Sequence, residues 1–377
     1  MSKPTGFEKV VTWIELFFDL VFVAGAHQVA YLLVNSTLME SLAYIGLFVM
    51  ILWLWLSHTL FSARFAHRGS LYHVNTVLVA CGIFALIVQL HGVFGPYGQT
   101  FALTYAATKA ILILFYLEAI LRNPLRLLYV LPLMIGYIAS TVIWVLSAFA
   151  ENMYLFWILA FAIDFVTPLY SQTLLQRIRI HTVHLPERLG LLTVVMLGEM
   201  IIALALSSAN ITLNSFTIYT LLAGILSVTM IFWVYFRHVE RNIMHTHDSA
   251  GNLYTYSHLP LYVGLVCIAG SFKLQLANQS GMWLLLCGLM IFLLSFRSIK
   301  YVQEHYIPSR QVILVIIYAS LLLFYIWRSP NDIIQFILVN LSFVLYLYIS
   351  EFILTMFKEG KTHNQKHFNT KHHNWEF

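Results

Sequence analysis

From Thr12 onward the chain runs in apolar stretches of about twenty residues, the length needed to cross hydrocarbon at 1.5 Å per residue, and they alternate with short polar breaks. Lipid admits only segments whose backbone groups are satisfied internally, so such stretches must be helices. Twelve are legible, near 12–33, 41–63, 72–91, 101–121, 125–147, 152–174, 188–207, 214–237, 257–276, 281–302, 309–327 and 332–356. Charged residues make up only 10% of the 377, whereas a soluble domain carries about a quarter. The expected fold is therefore an all-α membrane protein of twelve transmembrane helices, with no room for a sizeable soluble domain.

Basic residues test that count, because short cytoplasmic loops hold the Lys and Arg of a polytopic protein. Of the 21 such residues, Lys109 and Lys273 lie inside spans and Arg328 alone falls on one side. The rest gather on the other side, in the amino-terminal segment, every even-to-odd connection and the tail. A wrong span count would scramble this asymmetry, so both termini are expected in the cytoplasm. The net charge of +5 then answers to topology and anionic headgroups rather than to nucleic acid. The first apolar run holds acids and flows into a second span, unlike a cleaved leader, so the amino terminus is expected to be retained.

Two halves are suggested by weak internal similarity. "CGIFALIVQL" (81–90) matches "CIAGSFKLQL" (267–276) at Cys, Gln and Leu, and Leu71-Tyr72 and Leu253-Tyr254 precede them. An offset near 180 would set Asp19 of the first span beside Glu199 of the seventh. Six spans per repeat is an even number, so halves at 1–180 and 181–357 would share one orientation, as in parallel-repeat transporters. Residues 358–377 form a His- and Lys-rich tail, expected to be disordered and polar, although such a tail could bind a metal weakly or anionic lipid at low pH.

The charges inside spans carry the chemistry. Glu15, three residues after Thr12, fits a capping box and can be purely structural, with Trp13 in the interfacial aromatic belt. Asp19 lies on the same face, about 6 Å deeper. An uncompensated carboxylate there would cost about 2.5–3.5 kcal/mol, so it must be neutral, paired or wet; it is either a proton carrier or a static lock between helices. In "HLPERLGLLTVVMLGEMIIALA" (184–205), Pro186 is tolerated in the first turn and Glu187 suits the positive helix start. Glu199 lies about 16 Å beyond Arg188 on nearly the same face, and Gly198 would let another helix approach beside it. Glu187 and Arg188 read as an interfacial pair. Lys109 and Asp164 sit near mid-depth, Lys273 toward the outer side and Glu118 toward the cytoplasm; Lys109 could pair with Asp19, Asp164 or Glu199. His27, His58, His73 and His91 are either polar packers or members of a proton path.

Cys81, Cys267 and Cys287 read as reduced packing residues, and no cofactor or metal site is indicated. A Walker loop, a G-x-S-x-G elbow and an H-E-x-x-H helix are all absent from the sequence, which removes ATP hydrolysis and the easily read hydrolases.

The stretches "ELFFDLVFV" (15–23) and "HLPERLGLLTVVMLGE" (184–199) resemble the bacterial low-temperature-requirement A (LtrA) family, over essentially the whole chain. The resemblance makes Glu15, Asp19, Glu187, Arg188, Gly190, Gly198 and Glu199 signature positions and implies a bacterial inner membrane. Where that family often has a small hydroxyl residue after the second motif's Glu, this chain has Met200. The family name implies growth in the cold and no reaction. The expectation is an ion-coupled secondary transporter with Asp19 and Glu199 between its halves, Glu15, Asp164, Lys109 and His27 assisting, and a small ion or molecule as substrate. The rival is a membrane enzyme or assembly factor acting on lipid or envelope precursors from a groove of Glu15, His184, Glu187 and Arg188; a sensor is a third possibility, disfavoured by the lack of an output domain.

Overall fold

The computed structural model describes residues 11–65, 69–178, 180–208, 214–241, 250–304, 309–328 and 333–353. Among them there are helices and no strands. They are α1 (Trp13–Val34), α2 (Leu38–Arg64), α3 (Ser70–Gln89), α4 (Gly98–Arg122), α5 (Leu127–Ser147), α6 (Met153–Tyr170), the single turn α7 (Gln172–Leu175), α8 (His184–Ser208), α9 (Ser215–Arg241), α10 (Ala250–Leu276), α11 (Met282–Glu304), α12 (Ser309–Arg328) and α13 (Ile333–Tyr348). Each of the twelve apolar runs coincides with one long helix. Eleven are long and apolar enough to span a membrane, and α12 contributes an apolar stretch at Gln311–Leu322. The tail 358–377 lies outside the described residues.

Local chemistry sets the helix ends. Glu15 reaches back to the Thr12 amide at 2.9 Å, and Glu40 does the same to Thr37 at 2.8 Å, so α1 and α2 both start on the Thr-x-x-Glu device. Asn278 ends α10 in the left-handed region at φ 55°, which Asn tolerates better than most residues. The sixth run, expected to continue to 174, breaks at Ser171. Pro168 supplies no amide to the last turn of α6, and side chains of α10 bond to carbonyls of that turn: Tyr256 donates to Phe165 O and Asn252 to Pro168 O. α8 begins at His184 rather than 188 and α10 at Ala250 rather than 257, because polar side chains there are buried against neighbouring helices instead of facing water.

The bundle is centred on α10, which packs on α1, α2, α8, α9 and α11. Its most apolar stretch is 83% buried, against 28% for α6, so α10 is an inner helix and α6 a peripheral one. Large apolar side chains such as Phe149, Leu155 and Ile158 are exposed on the periphery, as a lipid-facing surface requires. α10 and α11 cross at glycines: a methyl group on Gly264 would stand 2.9 Å from the Gly288 carbonyl oxygen. α3 and α4 cross likewise at Gly82 against Thr108. Gly190 backs onto Phe236 of α9, but Gly198 has nothing within 4 Å of where a Cβ would stand, so it does not serve the close helix approach expected of it. All three cysteines are free; Cys267 is buried packing, whereas Cys81 and Cys287 are exposed.

Candidate functional site

α1 and α8 run side by side in the same direction, because their polar contacts advance together. Glu15 meets His184, Asp19 meets Arg188, and His27 meets Glu199. The carboxyl half of α10 completes the interface with Lys273. Two charged clusters result, stacked along one seam.

The first cluster lies near the amino-terminal ends of α1 and α8. Glu15, Asp19, His184, Arg188 and Tyr72 are all buried in it. Arg188 Nη2 donates to Asp19 Oδ1 at 2.7 Å, and its Nη1 is 3.6 Å from Glu15 Oε1. Trp55 Nε1 donates to the same Asp19 oxygen at 2.7 Å. Glu15 accepts from the Thr12 amide and hydroxyl and from the Tyr72 hydroxyl, each at 2.9 Å, and His184 Nε2 is 3.3 Å from its Oε1. The guanidinium rests between the rings of Phe18 and Trp55, 5.9 and 5.7 Å from their centroids. Among the described residues, Asp19 Oδ2 and Arg188 Nε and Nη1 have no hydrogen-bond partner.

The second cluster is Glu199, fully buried, with Lys273 Nζ at 2.7 Å and His27 Nδ1 at 3.1 Å. Lys273 and His27 are themselves 3.4 Å apart. The His27 side chain is 43% exposed, so this cluster has one foot at the molecular surface and the first has none. Eight residues of α1 and eleven of α8 separate the two levels, about 12–16 Å along the axis. Phe22 and Ala26, Leu192 and Met196, and Leu265 and Ala269 fill that interval, all buried. Thr193 lies among them, donating its hydroxyl to the Leu189 carbonyl and hydrogen-bonded to the side chains of Tyr235 and Tyr262. Met200 is buried beside Glu199, so no hydroxyl stands at that position.

The remaining candidates separate from the seam. Lys109 of α4 is paired with Asp164 of α6 and donates to Ser140 of α5 at 2.8 Å, all three buried. Of its three conceivable partners it takes the one in its own group of helices, and the trio ties α4, α5 and α6 together. Glu118 forms an exposed i,i+4 pair with Arg122. His58 is buried against Thr76 at 3.1 Å.

Two expectations need correcting. Arg188 is not the interfacial partner of Glu187: Glu187 is exposed, while Arg188 turns inward to the acids of α1. The four-residue groove of Glu15, His184, Glu187 and Arg188 is accordingly reduced to three buried groups. Asp19 and Glu199, aligned by an offset near 180, stand instead at different depths, since the α1 to α8 contacts fall at separations of 169 and 172 residues.

One cluster escaped the sequence reading altogether. Arg297 and Lys300, counted there as loop charges, are buried around Glu351 at 2.8 and 2.7 Å, with Gln311, Tyr346 and Ser350 also bonded to the guanidinium. The available signal was an acid in the last apolar run facing two cations one turn apart. Among the described residues no group of three or more His, Cys, Asp and Glu side chains is arranged to hold a metal ion.

The model of one family, "Bacterial low temperature requirement A protein (LtrA)", matches residues 10–349. An uncharacterized protein of Rhizobium meliloti (strain 1021) is 24% identical over 308 residues, covering 73% of this chain and 75% of that protein. No solved structure matches the chain. With the family match spanning both motif helices and the seam between them, this multi-pass membrane protein belongs to the bacterial low temperature requirement A (LtrA) family.

Proposed function

We propose that the protein is a proton- or cation-coupled secondary transporter of the bacterial inner membrane, working by movement at the α1/α8/α10 seam. The observation that carries this reading is the stacking of two charged clusters at different depths of one seam, one half-open and one enclosed, with a largely apolar layer between. Ionisable groups in a membrane interior are expensive and mark ion or substrate paths by default. An apolar layer that blocks such a path in one arrangement, and opens in another, is what alternating access requires. With the amino terminus on the cytoplasmic side, as the basic residues indicate, the enclosed cluster faces the cytoplasm and His27 faces out.

The two-half organisation at 1–180 and 181–357 belongs to the same proposal. Tyr72 with Tyr254 and Gly82 with Gly264 share an offset of 182, and both glycines mark the crossing with the following helix. Thr76 and His258, at the same offset, each bond to the helix before, the one to His58 of α2 and the other to Tyr235 of α9.

The test is coupled flux. Proteoliposomes loaded with a pool of small metabolites and a pH-sensitive dye should dissipate an imposed proton gradient as one solute leaves. Asp19→Asn and Glu199→Gln should bring that flux down to the level of empty liposomes. Unchanged flux in both variants would remove these acids from the mechanism.

A further inference from the structure

We propose that His184 is the proton-binding residue of the enclosed cluster, carrying the positive charge that the cluster otherwise lacks. This deepens the transport reading and rests on it for what the proton is used for; the charge balance itself does not. Counting formal charges among the described residues, Glu15 and Asp19 supply two negatives and Arg188 one positive, all of them buried. An uncompensated buried charge is costly, so one more positive charge belongs there.

Hydrogen bonding says where it goes. Glu15 is met by donors on both oxygens: the Thr12 amide and hydroxyl on Oε2, and the Tyr72 hydroxyl on Oε1. Asp19 Oδ1 is met by the Trp55 indole and Arg188. Surroundings made of donors suit ionised carboxylates, which can only accept, leaving the imidazole as the basic group that takes the proton. His184 Nε2 lies 3.3 Å from Glu15 Oε1 and 3.4 Å from its Oε2, placed to donate to either.

Glu15 of α1 faces it directly, and the groups gathered on Glu15 and Asp19 are Tyr72 from α3, Trp55 from α2 and Arg188 from its own helix; His181 Nδ1 accepts the His184 amide at 3.4 Å. Tyr262 of α10 donates to the Leu189 carbonyl and is hydrogen-bonded to Thr193. Taking up the proton forms one N–H bond on the ring, with water as the source. Opening the seam would part His184 from Glu15, and the proton would return to water on the side then open. The second cluster needs no such proton, because Glu199 and Lys273 already balance.

The test reads protonation directly. The whole protein, labelled with nitrogen-15 histidine and held in lipid nanodiscs, has 16 His side chains, so His184 is identified by its loss in His184→Gln. The expected result is a wild-type imidazolium that persists to about pH 8, beyond the usual titration range of His. In Asp19→Asn, where the charges balance without a proton, the same ring should become neutral at that pH. Because His184→Gln can fail to fold, the Asp19→Asn response serves as a second identification, and His184→Lys should retain the wild-type melting temperature by keeping the charge. A ring that is neutral at about pH 8 in the wild type, or an imidazolium indifferent to Asp19→Asn, would overturn the proposal. An imidazolium that responds as expected in a protein that moves no solute would uphold the assignment and sink the transport reading, which keeps the two failures apart.

Discussion

Arg188 bonds to Asp19, lies within 4 Å of Glu15 and is sandwiched by two aromatic rings, so its loss would strand two buried carboxylates. Breaking a buried ion pair on one side costs about 3–5 kcal/mol. Arg188→Gln should therefore lower the melting temperature in detergent sharply, and adding Asp19→Asn should recover part of the loss. If the single variant melts like the wild type, the cluster is not a buried ion network. Arg188→Lys would be a poor substitute, since an ammonium has neither the planar fork nor the reach to serve both acids. Residue types made Glu15, Asp19 and Glu199 visible in the sequence, because a carboxylate in an apolar run is conspicuous. Their partners were not visible. Arg188 read as an interfacial cation and Lys273 as a span residue with no partner assigned, and only the helix arrangement turns them onto acids some 70 to 170 residues away.

At the scale of helices, small residues decide how closely two backbones run. Gly264 and Gly288 bring α10 and α11 into near contact, so Gly264→Ala should cost about 1–3 kcal/mol through forced separation. Gly198 has open space where a side chain would go, and Gly198→Ala should leave the melting temperature unchanged. Equal effects from the two substitutions would contradict the packing described. The contrast matters for function, because α10 carries Lys273 and must hold its level against α1 and α8 for that ammonium to reach Glu199. Gly264 lies between Val263 and Leu265 and Gly198 between Leu197 and Glu199, and neither setting says which glycine is crowded and which is open. The register between helices does.

Across the whole molecule, the basic residues and the helix directions lead to one topology. α1 and α8 run parallel, as two helices separated by five intervening spans must. In a background without native cysteines, a cysteine at Gln279, in the α10 to α11 turn, should react with a membrane-impermeant maleimide from outside intact cells. One at Lys361 should react only after the membrane is opened. Labelling of both from the same side would require an odd number of spans between them to be wrong, and with it the placing of His27 on the outer side.

Hydrophobic periodicity and the scatter of Lys and Arg depend on neighbours within one span or loop, which is why the twelve helices and the two acid-bearing ones among them could be read from the chain. Depth and partnership depend on how helices far apart in sequence slide against one another. That sliding is set by side-chain packing along the α1/α8/α10 seam, where Phe22, Leu192 and Met196 are enclosed. The tertiary structure alone therefore decided that Asp19 belongs with Arg188, that Glu199 belongs with Lys273, and that His184 stands beside Glu15.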